Sequence, residues 1–150
     1  MSAQAAFKPN TKPSLTLKRR LKAPPEKVFA AWTEPEKVKA WFGPVQITVT
    51  HVELDLRVGG LYRITAMSPS GEKHEVGGVL REVVRNERLV YTWAWHSTPE
   101  RESLVTVELK PDGDGTLLTL THAQFFDEDA RDRHQHGWNA ALDKMEKLFT

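Results

Sequence analysis

Between residues 46 and 122 the sequence alternates strand-like runs with turns too short to cross a sheet, and this restricts the fold more than any other feature. The runs are Ile47–Leu54, Leu61–Met67, His74–Val84, Leu89–His96, Leu104–Lys110 and Leu117–His122. Turn chemistry separates them: Gly59-Gly60, Pro69-Ser70-Gly71, Arg85-Asn86-Glu87, Thr98-Pro99-Glu100 and the stretch from Pro111 to Gly115. Parallel neighbours need a crossover of about a dozen residues or more, so these strands must pair antiparallel as a meander.

Upstream, Leu15, Leu17 and Leu21 alternate with Lys18, Arg20 and Lys22, which predicts a half-buried strand over 14–22 with the basic residues on its wet face. Pro24-Pro25 stops that strand and opens a helix, where a proline's missing N–H has no partner to lose. Val28, Phe29 and Trp32 follow at helical spacing. Thr33 and Glu36 form a capping-box pattern that starts a second short helix bearing Val38, Trp41 and Phe42, and Gly43-Pro44 ends it. Asp127 is placed to cap a last helix over 128–149, with Glu128 and Asp129 against its positive end. One stripe of that helix carries His134, Trp138, Ala141, Met145 and Leu148. A sheet with one face to bury needs a cover, and only this helix is long enough. The expected fold is α+β: a helix-grip, a curved antiparallel β-sheet (β-α-α-β6-α) wrapped around a long C-terminal helix. Residues 1–13 read as a flexible N-terminal tail and 14–150 as one domain.

A formal net charge of +1 supplies no basic field for nucleic acid, and Lys18, Arg20 and Lys22 are accounted for by the strand. There is no cysteine, which removes disulfides, thiolate metal sites and cysteine nucleophiles. His134 and His136 are two apart on a helix and point away from each other, and no helix carries a His-x-x-x-His or Glu-x-x-His pair. His51, His74, His96 and His122 fall on different strands. No metal and no cofactor are therefore expected. No run approaches the roughly 20 apolar residues of a membrane span, and nothing near the start resembles a signal peptide, so the expected compartment is cytoplasmic.

With these elements in place, several blocks of sequence resemble one known family. They are Ala23-Pro24-Pro25-Glu26-Lys27-Val28-Phe29-Ala30-Ala31-Trp32-Thr33, Lys39-Ala40-Trp41-Phe42-Gly43-Pro44 and Asp55 through Arg63 with its Gly59-Gly60. Gly78 through Val83, Glu87 through Trp93, Gly115-Thr116 with Leu118 through His122, and Gly137-Trp138 with Leu142 complete the set. The chain resembles the Bet v 1/START-like (SRPBCC) superfamily, in the branch related to the activator of Hsp90 ATPase (AHSA1-like). The resemblance covers residues 14–149 and implies the helix-grip fold. It also implies three classes of role: a binder of small hydrophobic or aromatic molecules, an Hsp90-type co-chaperone or stress-response domain, and a polyketide cyclase or aromatase. The additional N-terminal domain of the eukaryotic co-chaperone is not expected here.

Large rings bury roughly 150–250 Å² each and leave gaps that only small side chains can fill. Five tryptophans in 150 residues, with Gly77-Gly78 and Ala66 nearby, therefore point to a hollow between sheet and helix. The expected ligand-binding residues are Trp32, Trp41, Phe42, Tyr62, Ile64, Trp93, Trp95, His122, Phe125, Trp138 and Leu142. Gly137 has two readings, admission of a ligand or close approach of helix to sheet, and the second is preferred. For catalysis His122 and His74 are the available acid/base groups, and His122 reads better as a hydrogen-bonded core residue. Arg63 and Asp55 near Gly59-Gly60 have two readings, a polar end to the pocket or a surface salt bridge, and the second is preferred. The expected partner is a small hydrophobic or aromatic molecule and, in the alternative, a chaperone, with no nucleic acid and no membrane.

Overall fold

The computed structural model describes residues 12–150, so the expected tail over 1–13 lies outside the described residues except for its last two positions. The carbonyl of Pro13 accepts the Phe125 N–H at 3.1 Å, which ties the start of the first strand to the segment before the last helix.

The elements follow in the expected order: β1 (Leu15–Leu21), α1 (Pro25–Thr33), α2 (Pro35–Trp41), β2 (Thr48–Leu54), β3 (Leu61–Met67), β4 (Lys73–Val84), β5 (Arg88–Trp95), β6 (Ser103–Asp112), β7 (Gly115–Ala123) and α3 (Glu128–Leu148). The strands form one antiparallel sheet in the order β1-β7-β6-β5-β4-β3-β2. The meander thus runs unbroken from β2 to β7, and β1 closes onto β7 with Leu15 opposite His122 and Leu21 opposite Thr116. Register shifts at Val49/His51 and at Leu80/Glu82 are bulges, which add local twist and help to curl the sheet.

The Gly59-Gly60 turn docks on the second bulge. Gly59 N–H donates to the Leu80 carbonyl at 2.8 Å, and Leu80 N–H donates to that of Gly60 at 2.9 Å. A Cβ on Gly60 would meet the Asp55 carbonyl at 2.0 Å, so no larger residue fits. Gly77 and Gly78 answer to backbone crowding as well. A Cβ there would lie 2.6 Å from the Tyr62 carbonyl and 2.2 Å from that of Thr92, respectively. They do not leave room beside the rings, as their sequence position suggested.

Helix α1 has Pro25 at its first position, as expected, and buries Val28, Phe29, Ala31 and Trp32. The capping box does not form. Thr33 turns its hydroxyl back to the Phe29 carbonyl at 2.8 Å and closes α1, while Glu34 stands at the N-cap of α2 without a side-chain capping bond, its carboxylate pairing with Lys37 at 3.2 Å instead. The start of α2 is made instead by Pro35, whose fixed φ suits the first helical residue. Phe42 caps the end, and Gly43 takes φ +80° to turn the chain toward β2. The Asp127 cap on α3 is present, its carboxylate accepting the Ala130 N–H at 2.8 Å.

Helix α3 is continuous and buries Ala130, Trp138, Ala141, Leu142 and Met145 against the sheet. Leu148 is 48% exposed, so the stripe ends a turn earlier than the spacing implied. Leu142 stands inside it instead. Arg19, on the inward row of β1, locks the helix in place. Its guanidinium donates to Asp143 at 2.8 Å, to Asn139 Oδ1 at 3.0 Å and to Glu146. Arg63 and Asp55 do not pair with each other: Arg63 bonds Glu53 at 2.9 Å and Asp55 bonds Arg57 at 2.7 Å.

Candidate functional site

The rings that the sequence places on separate elements meet in one cluster. Trp41 and Trp32 stand 4.4 Å apart between centroids, Trp32 and Trp138 5.9 Å, Trp138 and Trp93 5.4 Å, and Trp93 and Trp95 5.6 Å. All five tryptophans of the chain are thereby contiguous, joined from α1, α2, β5 and α3.

Two hollows adjoin this cluster. The larger, about 300 Å³, lies between the sheet and α3. Its wall includes Phe42, Gly43, Pro44, Ile47, Ala66, Trp93, Trp95, Gly137, Trp138 and Ala141, with His74, Arg133 and His134. The smaller, about 40 Å³, lies deeper in the sheet's curl and is bounded by Trp32, Trp41, Tyr62, Ile64, Leu80 and Tyr91, among others. Phe42 and Trp93 border both, with ring centroids 6.0 Å apart, and act as the partition.

The expected ligand-binding residues therefore divide. Phe42, Trp93, Trp95 and Trp138 line the larger hollow. Trp32, Trp41, Tyr62 and Ile64 surround the smaller one. His122, Phe125 and Leu142 line neither and lie in solid core at 0%, 2% and 0% exposure. Spacing put His122 on the inward row correctly, but the inward row also contains the packed end of the sheet.

The polar groups of the wall are bonded to one another. The Trp138 indole donates to His122 Nδ1 at 3.0 Å, which leaves the proton of this imidazole on Nε2. From there it goes to Ser103 Oγ at 2.7 Å, and Ser103 donates onward to the Trp93 carbonyl at 3.2 Å. Burial pushes the His122 pKa down to about 2, with the neighbouring His134 adding to the effect. His134 is held in the opposite tautomer. Its Nδ1 donates to the Ala130 carbonyl at 2.7 Å, and its Nε2 accepts both Trp95 at 2.9 Å and Trp93 at 3.3 Å. Burial lowers its pKa too, partly offset by the bond to Ala130. Both nitrogens of each ring are engaged, so neither has a free lone pair to take a proton from a guest. His74, the other acid/base candidate, lines the larger hollow with its side chain 40% exposed, whereas the fully buried His122 does not line it.

At the rim, Lys144 reaches across from α3 and donates to the carbonyls of Phe42 at 3.2 Å and Pro44 at 3.4 Å. Among the buried side-chain polar atoms of the described residues, Trp32 Nε1 alone has no hydrogen-bond partner. No group of three or more His, Cys, Asp or Glu among the described residues is arranged to hold a metal ion.

Sequence reading missed Arg133, Ile47 and the Gly43-Pro44 turn as wall. It also preferred the wrong reading of Gly137. A Cβ built on Gly137 meets nothing within 4 Å, so the glycine faces open space in the larger hollow, not a closely packed strand. Arg133 could have been found by its place four residues before Gly137, on the same face of the helix.

A family model described as activator of Hsp90 ATPase homolog 1-like protein matches residues 22–150. Among solved structures, a protein from Chromobacterium violaceum is 30% identical, with a TM-score of 0.83 over 91% of this chain and 97% of its own. The AHSA1 protein from Silicibacter pomeroyi is 27% identical, with a TM-score of 0.82 over 91% and 96% of the two chains. A protein from Nitrosomonas europaea is 28% identical, with a TM-score of 0.78 over 90% and 92%. No curated protein matches the sequence.

Proposed function

The chain belongs to the activator of Hsp90 ATPase homolog 1-like family, and from that premise we propose that it binds a small apolar or aromatic molecule between its sheet and α3. The observation that carries this reading is the hollow of about 300 Å³ walled by Phe42, Trp93, Trp95 and Trp138. It falls at the lower end of the roughly 300–1,000 Å³ usual for ligand pockets. The wall is the kind that receives an apolar guest: its indole N–H groups are already bonded inside the protein, so a guest that lacks hydrogen-bonding groups leaves none of them unpaired.

Titration with the neutral fluorophore N-phenyl-1-naphthylamine tests it. One probe per chain should bind, gain emission and quench the tryptophan cluster, and Gly137→Leu should abolish both signals by filling the hollow. Absence of stoichiometric binding to the wild-type protein rejects the reading. A native mass spectrum of freshly purified protein would then identify what the hollow retains.

A protein-interaction role, of the co-chaperone kind or otherwise, is the second reading. Val58 and Leu61 favour it, being exposed at 63% and 66% beside the partly exposed Leu56 on the β2–β3 connection. The cyclase or aromatase reading draws no support from the site, because the better-placed imidazole lies behind the wall with both nitrogens bonded.

A further inference from the structure

The lining of the larger hollow separates sharply by charge and position. Its interior polar groups are already matched: three indole N–H groups on two imidazole nitrogens, and the Phe42 and Pro44 carbonyls on Lys144. No aspartate, glutamate or lysine lines it, the Lys144 ammonium at the rim being already bonded to the Phe42 and Pro44 carbonyls, and Arg133 is the one lining residue with a permanent charge. Arg133 stands on the helix side of the mouth, one turn before Gly137, where the missing side chain leaves open space next to the guanidinium stem. His74 stands on the sheet side, directly across the β3–β4 ladder from Ala66, another small wall residue.

From this arrangement, and resting on the ligand-binding reading above, we infer that the guest is an amphipathic anion. Its apolar or aromatic body fills the tryptophan-walled hollow, and one carboxylate, sulfonate or similar acidic group lies at the mouth against Arg133 and His74. A charged group deeper inside the larger hollow would have no donor left to meet it, because the indoles of Trp93, Trp95 and Trp138 are committed and the one free indole, that of Trp32, borders the smaller hollow behind the Phe42–Trp93 partition. At the mouth both side chains are accessible as hydrogen-bond donors, at 66% and 40% exposure. Each has a weak carboxylate neighbour to exchange for the guest. Arg133 is 3.1 Å from Asp129, which is 78% exposed, and His74 is 3.3 Å from Glu72, which is 70% exposed. Solvated pairs of this kind contribute little, so replacing them with a ligand anion forgoes little. Arg133 suits the role because its planar fork can hold both oxygens of a carboxylate.

The test uses two probes with the same aromatic frame. N-Phenyl-1-naphthylamine is neutral, and 8-anilino-1-naphthalenesulfonate carries one sulfonate on that frame. The expected result is an affinity advantage of about 2- to 5-fold for the anionic probe at low salt, in line with an exposed ion pair. The advantage, read as the ratio of the two probes' affinities on the same protein, should shrink as salt is raised and disappear in Arg133→Gln. Gly137→Leu should reduce the binding of both probes, which locates them in the hollow. Equal affinity for the two probes, or an anion preference that survives Arg133→Gln, overturns the inference and leaves the apolar-binding reading standing. Failure of the neutral probe to bind at all overturns that reading and this inference together.

Discussion

His122 and His134 stand 5.2 Å apart between ring centroids, and each is fixed in one tautomer by indole donors. The consequences can be measured at single residues. His122→Gln can keep an acceptor for Trp138 and a donor for Ser103, but it loses the ring that packs 4.2 Å from Phe125. It should cost about 1–3 kcal/mol in urea unfolding and leave neutral-probe affinity within about twofold, because His122 does not line the hollow. A large loss of affinity at unchanged stability would show that the imidazole acts on the guest. Gly137→Ala should do the opposite. The added methyl meets nothing within 4 Å, and alanine is the better helix former, so stability should rise by about 0.5–1 kcal/mol. A decrease in the denaturant midpoint would mean that the glycine serves a backbone need after all.

At the scale of elements, the long helix is held by two unlike devices. Its apolar stripe of Trp138, Ala141, Leu142 and Met145 packs on the sheet, which any helix-grip protein must arrange. Its polar flank is tied to β1 by Arg19 and to the α2–β2 connection by Lys144. The Arg19 side chain is 19% exposed, whereas its partners Asp143 and Glu146 are 63% and 42% exposed, so the network is intermediate between buried and solvated. Arg19→Met should therefore cost about 1 kcal/mol, no more than a well-formed partly screened pair contributes. Hydrogen exchange should show faster opening in the last two turns of α3 than around Trp138. Uniform acceleration along the helix would mean that Arg19 supports the whole domain and not one end of it. The Lys144 contacts act on the opposite side, where they hold the turn that forms part of the hollow's rim.

For the molecule as a whole, one buried and one half-buried histidine, both with lowered pKa, make stability depend on pH. An unfolded histidine titrates near 6.5. The folded values lie below that, His122 at about 2 through burial and His134 lowered for the same first cause. The unfolded state then binds more protons than the folded one at acid pH, so stability is complete above about 6.5 and is lost as the pH falls. His122 contributes a slope approaching about 1.4 kcal/mol per pH unit below that point, and His134 adds to it in the same direction. Chemical denaturation at about pH 6 and about pH 5 should show the decline, and His122→Gln should remove close to one proton's worth of slope. An unchanged slope in the variant would mean that His122 is protonated in the fold, with Trp138 and Ser103 rearranged around it.

Element order, strand pairing partners and the buried faces were legible in the sequence because they depend on neighbours two to four residues apart. Alternation from Leu15 to Leu21, proline at the head of α1 and the Asp127 cap are local signals, and local geometry honours them. Where a local signal failed, a competing local one prevailed, as when Pro35 started α2 and freed Thr33 to bond Phe29. The hollow is another matter. Whether Gly137 faces a strand or empty space depends on how far α3 stands from β3 and β5, and that distance is set by rings contributed from α1, α2 and β5 together. Which rings line the space and which are solid core is decided the same way, so Trp138 lines it while His122, bonded to the same indole, does not. The sequence alone determined which residues face inward. Only the tertiary structure decided where their combined volumes fall short of filling the interior, because that shortfall is a property of side chains far apart in the chain and of no segment by itself.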